Sequence, residues 1–210
     1  LLEGIRDTLY MTLASTLFGY IIGLPMGIVL TVTDKDGISP VPVFNRVLGV
    51  VINLLRSVPF IILLIMVIPI TRLIVGKIYG SNATVVPLVI SASPYIARMV
   101  ESSLKEVDAG VIEAARSMGA SDFQIVTKVM LVEARTSLIV GATISLGTIL
   151  GYSAMAGTVG GGGLGDIAIR YGYTRWQTDI MVVTVVLLVI LFQIFQTIGM
   201  KIANRLDRRK

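Results

Sequence analysis

Gly160, Gly162 and Gly165, with Asp166 directly after them, match G-x-G-x-x-G. In a βαβ unit that spacing lets backbone approach a dinucleotide pyrophosphate at a helix N-terminus. The chemistry needs a strand before the glycines, and here a long apolar segment stands there instead. The run therefore reads as a flexible external turn whose backbone could meet a docking protein. No G-x-x-x-x-G-K-[ST] occurs, so ATP is not bound here through a P-loop, and energy must come from a partner or an ion gradient. The chain has no cysteine and no histidine, which removes disulfides, thiolate metal sites and the commonest general base. Asp166 and Asp179 share a polar loop but form no catalytic pair. With no nucleophile–base set there are no catalytic residues or metal ligands to assign, and no cofactor is expected. The apolar runs also lack the buried Asp or Glu of an ion-coupled carrier.

What remains is a set suited to contact rather than to bond-making: Glu113, Ala114 and Ala115, then Gly119 four residues on. They lie in Asp108–Ala134, the only long interior segment that reads as a soluble amphipathic unit. Asp108 can cap a helix from about 109 to 118, and Gly119 suits the left-handed position that ends one. Ser121 with Gln124 forms a capping box for a second helix, on which Phe123, Val126 and Met130 repeat at helical spacing. On the first helix Val111, Ala114, Ala115 and Met118 share a face, with Glu113 and Arg116 opposite. Two short helices meeting at a glycine make a projecting knob, and small residues near its tip let a partner approach closely.

The elements around the knob are membrane spans. Of 210 residues, 54% are hydrophobic and 15% charged, with a mean hydropathy of +0.85, outside the range of a soluble domain. Spans are expected at about 8–33, 47–70, 83–100, 136–155 and 180–198, in one domain covering 1–210. The first apolar run is too long for a signal peptide and lacks its basic start and cleavage site. The chain opens at Leu1 with no initiator methionine, so part of the natural N-terminus is expected to precede it. Gly19, Gly23 and Gly27 lay a small-residue groove down the first span, which Pro25 is expected to kink. Arg56 lies inside the second span, where a charge costs about 2.5–3.5 kcal/mol on insertion scales. It therefore lines a pathway, braces the bundle's end, or snorkels to the interface. The third span carries Pro87 and Pro94, each of which frees a backbone carbonyl that neighbours must satisfy. Arg98, Glu101 and Lys105 pair in helical register at its end, so that helix is expected to run on into the knob. Met155, closing the fourth span, is apolar and flexible enough to serve as a gate at a dimer axis.

Five spans put the termini on opposite sides. Twelve basic residues then share the knob's side: Lys35, Arg46, Arg98, Lys105, Arg116, Lys128, Arg135, Lys201, Arg205, Arg208, Arg209 and Lys210. Five share the other: Arg6, Arg72, Lys77, Arg170 and Arg175. The positive-inside rule places the knob and the C-terminus in the cytoplasm and the N-terminus outside. The net charge of +5 thus reflects membrane orientation, not nucleic acid.

The segment 108–134 resembles the EAA loop of ABC importer permeases: E-A-A, three residues, Gly, nine residues, then I-x-L-P. Glu113, Ala114, Ala115 and Gly119 fit, Val129 and Leu131 match the apolar end, and Val132 stands where the family has proline. RSVPFIILLIMVIPITRLIVG (56–76), PYIARMVESSL (94–104) and GYSAMAGTVGGGGLGD (151–166) are similar to methionine ABC importer permeases. The resemblance covers nearly the whole chain. It implies the type I importer permease fold, all-α with five transmembrane helices and a cytoplasmic coupling loop, in a bacterial inner membrane. It also implies a second copy of the chain, two ATP-binding subunits that carry the ATP, and an external methionine-binding protein or lipoprotein. Glu113, Ala114, Ala115 and Gly119 would be the ATPase contacts, and transport of L- and D-methionine would proceed by alternating access. Two readings stay open beside it: a permease of the same build for an osmolyte or other small solute, and a small oligomeric channel.

Overall fold

The computed structural model describes residues 1–206, and among these every regular element is helical. Helix α1 (Leu2–Val32) runs unbroken through Pro25. At about 1.5 Å per residue it is longer than the roughly 30 Å hydrocarbon core it has to cross. Its glycine stripe is the contact with α5 (Ser81–Lys105): a Cβ on Gly23 would come within 2.7 Å of the Ser93 carbonyl, and one on Gly27 within 2.6 Å of Val100. Only glycine permits this near backbone-to-backbone approach, which gains dispersion where lipid offers no hydrophobic drive. Met11, Leu88, Ile96 and Val100 are fully buried between the helices. Helix α5 continues past its apolar stretch to Lys105, as the charge register requires.

The stretch 47–70, a single span by composition, is three helices: α2 (Pro42–Ser57), α3 (Phe60–Met66) and α4 (Ile68–Val75). Proline disfavours the helical conformation in the residue before it, and here Val58 is extended ahead of Pro59 and the chain bends by 101° between α2 and α3. Gly76, at φ 75°, ends α4.

After the knob, where α6 is Ala109–Ser117, α7 Asp122–Gln124 and α8 Leu131–Glu133, comes α9 (Arg135–Ala156). It packs on α5, with the Ser137 hydroxyl donating to Ser103 Oγ at 3.0 Å. Helix α11 (Thr178–Leu206) lies across α9, where Gly147 accommodates the ring of Phe192. Only Thr184 and Ala203 of α11 are buried, so most of its surface faces outward. Helices α1, α5 and α11, and the stretch Arg135–Tyr173 that opens with α9, are each long and apolar enough to cross a membrane. The bent α2–α3 pair brings the count to five if it forms one span. Of the basic tail, Lys201 and Arg205 belong to α11, while Arg208, Arg209 and Lys210 lie outside the described residues.

The glycine run differs from the flexible turn that its composition implies. A short 3₁₀ turn (Gly157–Val159) leads into α10 (Gly163–Ile167), which folds back into the molecule with Leu164 fully buried. The Leu164 amide donates to Thr8 Oγ1 at 2.9 Å, and the Gly80 amide donates to the Gly160 carbonyl at 3.0 Å. A Cβ at Gly165 would overlap the Ala154 backbone. Gly157, Gly161 and Gly165 are packed too closely for a side chain, while Gly160, Gly162 and Gly163 take positive φ.

Candidate functional site: the coupling knob

The knob builds itself from local signals. Asp108 Oδ1 accepts from the Gly110 amide at 2.8 Å, satisfying a donor that α6 leaves free. Gly119 takes φ 82°, with its amide bonded to the Arg116 carbonyl at 2.9 Å, so the chain reverses at minimal cost. Ser121 and Gln124 form the reciprocal capping box, the Ser121 amide donating to Gln124 Oε1 at 2.9 Å. A π-helical turn, Ile125–Met130, then lets Ile125, Val126 and Met130 all face inward before α8. Two short arms too small to be stable alone are thus capped, reversed and anchored.

Burial divides the expected contact residues. Glu113, Ala114 and Gly119 are exposed on the outer side of the knob. Ala115 is not: it is 6% exposed and packs inward among Ile38, Ile125 and Val126. About 100° separates adjacent helical positions, and on α6 that rotation carries Ala115 onto the inward face while Glu113 and Ala114 stay outward. Arg116 is not paired with Glu113 either. Its Nη2 donates to the Ile38 carbonyl at 2.7 Å, reaching a loop 78 residues earlier in the chain. The Glu113 carboxylate makes no ion pair among the described residues and borders a cleft shared with Lys35 and Asp36. Met118 and Phe123, 81% and 76% exposed, flank Gly119 and give the outer face an apolar edge. Helical spacing put Met118 on one face with Val111 and Ala114, and all three are exposed. It also aligned Phe123 with Val126 and Met130, which are buried while Phe123 is not.

Behind the knob runs a line of charge. Lys105 Nζ bridges Asp34 at 2.6 Å and Glu101 at 2.8 Å, and Glu101 also holds Arg98 at 2.6 Å. Arg98 then donates to Asn53 Oδ1 at 3.0 Å and to the Gly49 carbonyl at 3.1 Å on α2. Glu101 is 8% exposed and fully engaged, as a buried carboxylate must be. The hydrogen bond from Lys105 holds the Asp34 carboxyl below its usual range, against a smaller opposing desolvation.

Arg56 and Met155 lie apart from this site. Arg56 sits at the α2–α3 break, exposed, its guanidinium 6.0 Å from the Tyr95 ring centroid. Met155 closes α9, 47% exposed, on an open face with Ile144 and Gly151.

The chain matches the model of a transport family, the binding-protein-dependent transport system inner membrane component, over residues 19–210. It is 50% identical over 209 residues to a probable D-methionine transport system permease protein, MetI, of Vibrio cholerae serotype O1, covering 100% of this chain and 93% of that protein. It is also 50% identical over 157 residues to the D-methionine transport system permease protein MetI of Escherichia coli K12, covering 75% of this chain and 72% of that one. Its structure matches a chain of the MetNI methionine ABC transporter solved in inward facing conformations, with a TM-score of 0.98 at 48% identity over 99% of this chain and 96% of that one. A capped knob between apolar spans, in a sequence that fits this family from its first helix to its last, leaves one assignment: the chain belongs to the binding-protein-dependent transport system inner membrane components of ABC transporters.

Proposed function

We propose that this chain is the membrane-spanning subunit of an ATP-driven importer of methionine, the D-enantiomer included. The observation that carries the reading is the knob: an outward-facing Glu113, Ala114, Gly119, Met118 and Phe123 on a self-capped unit with no catalytic set. Such a unit transmits force and performs no chemistry. Its partners on this reading are a second copy of the chain, two ATP-binding subunits seated on the two knobs, and an external methionine-binding protein. ATP stays on the ATPase. Closure of the ATPases moves the knobs, and the paired permeases alternate between inward- and outward-facing states.

Orientation follows the charge. Lys35, Arg98 and Lys105 gather at the knob's end of the bundle, while Arg6 and Lys77 share a cleft at the other. The positive-inside rule puts the first group, the knob and the C-terminus in the cytoplasm, and the N-terminus outside. Glu113, Ala114 and Gly119 contact the ATPase. Ala115 supports them from within, and Met155 gates the pathway where two copies meet.

The test is uptake by proteoliposomes holding the permease, its ATPase and its binding protein. Methionine accumulation that requires ATP supports the reading. Preference for an osmolyte over methionine would reassign the substrate. Solute flux through the permease alone, without ATPase, would make it a channel.

A further inference from the structure

The segment joining α1 to α2, residues 34–41, is more than a connection. On one side it is welded to the end of α1. The Ser39 amide donates to the Val32 carbonyl at 3.1 Å, and the Val41 amide to the Thr33 carbonyl at 3.0 Å. Asn45 Nδ2 reaches back to the Leu30 carbonyl at 2.6 Å. Gly37 lies so close to the last turn of α1 that a Cβ there would overlap the Val32 carbonyl. On the other side the segment grips both arms of the knob. Arg116 of α6 donates to the Ile38 carbonyl at 2.7 Å, and the Ser39 hydroxyl bonds to the Asp122 carboxylate at the start of α7. The Ile38 side chain, 9% exposed, is buried with Ala115, Ile125 and Val126. A third tie, Asp34 to Lys105 at 2.6 Å, fastens the segment to the end of α5.

We propose that Ile38, Arg116 and Asp122 are positioning residues for transport: through them the 34–41 strap locks the knob, α1 and α5 into one lever that stays closed throughout the cycle. This rests on reading 108–134 as the coupling element. Without the strap the knob would act only through its own chain, by the short link of residues 106–108 to α5 and by Ala134 to α9. Such a link bends before it moves a helix. With the strap, displacement of either arm must carry α1. The α1–α5 contact is glycine against backbone and has no slack to absorb the motion.

The chain has no cysteine, so a Ser39→Cys, Asp122→Cys pair can be bridged selectively by a short bifunctional methanethiosulfonate in the assembled transporter. A lever that stays closed tolerates the bridge, with ATP-driven uptake staying within about twofold of the unbridged pair, whereas a drop of about tenfold or more would show that strap and knob must part, and would overturn the proposal. A second variant reads the tie itself. Arg116→Ala is expected to keep co-purifying with the ATPase and to keep hydrolysing ATP, while solute carried per ATP falls about tenfold. Arg116→Lys, which can still donate to the Ile38 carbonyl, restores most of it. Unchanged solute per ATP in Arg116→Ala, or loss of ATPase association, would also overturn the lever. Failure of the coupling reading looks different: Ala114→Trp, on the exposed face of α6, would then keep ATPase association and full ATP-driven uptake.

Discussion

Ala114 and Ala115 are neighbours with opposite fates, one exposed on the outer face of the knob and the other in the chain's own core. The motif is legible in the sequence, because its spacing survives whatever the fold does. Which alanine does which job is not, because it depends on Ile38 arriving from a distant loop. Substitution separates the roles. Ala114→Trp is expected to leave stability intact and to abolish co-purification with the ATPase. Ala115→Trp overpacks the knob and should cost about 1–3 kcal/mol, seen as a lower unfolding temperature before any binding is measured. Charge at this scale gives a second outcome. Asp34 has a lowered pKa in the folded state, so the stability it contributes is fully present above the ordinary carboxylate value, about 3.9, and is lost as pH falls through the lowered folded value. Asp34→Asn should therefore destabilise the detergent-solubilised protein at pH 7, and the gap to wild type should close below about pH 4 in thermal unfolding.

Among the elements, the long helices were readable from run length and the α1 groove from glycine spacing. The helix α5 overhang followed from Arg98, Glu101 and Lys105. Two features were not. The span expected at 47–70 passes straight through Pro59, whereas the chain turns by 101° there, an angle that depends on what α3 packs against. The glycine run 157–165 has the composition of a loose turn, and its burial against Thr8 and Ala154 involves partners that no local pattern names. The α1–α5 contact is the one least able to adapt. Gly23→Leu would drive a branched side chain into Ser93 and Ile96, so the expected result is a permease that inserts but is cleared from the membrane, with levels on immunoblot falling several-fold. Met155, on the open face of α9, tolerates truncation structurally. Met155→Ala should keep normal levels and ATPase association but leak substrate without ATP, read as uptake by vesicles lacking nucleotide.

For the whole molecule, the proposed orientation rests on the unequal sharing of basic residues between the two ends. Single cysteines at Ser121 and Thr174 probe opposite ends of the bundle, both at exposed positions. An impermeant thiol reagent added to intact cells should label Thr174→Cys and spare Ser121→Cys, with the pattern reversed in inside-out vesicles. The broad exposed surface of α11 and the open face of α9 belong to this scale too. A single chain leaves them uncovered, and the composition of each helix, apolar on nearly every side, could not say which part meets lipid and which meets a second copy.

The hydrogen bond from Arg116 to Ile38 also sets an order of events at the ribosome. Ile38 is synthesised 78 residues ahead of its partner. At about 5–20 residues per second it waits on the order of 4–16 s for α6 to exist. During that interval the first two hydrophobic segments are already entering the bilayer. An apolar side chain that ends up in the core of the knob must meanwhile stay out of the lipid beside it. The charges around it, Asp34, Lys35 and Asp36, hold the nascent loop in water until the arms of the knob emerge to cover it. Assembly of the lever is thus a late event in biogenesis, possible only once the third span has been delivered.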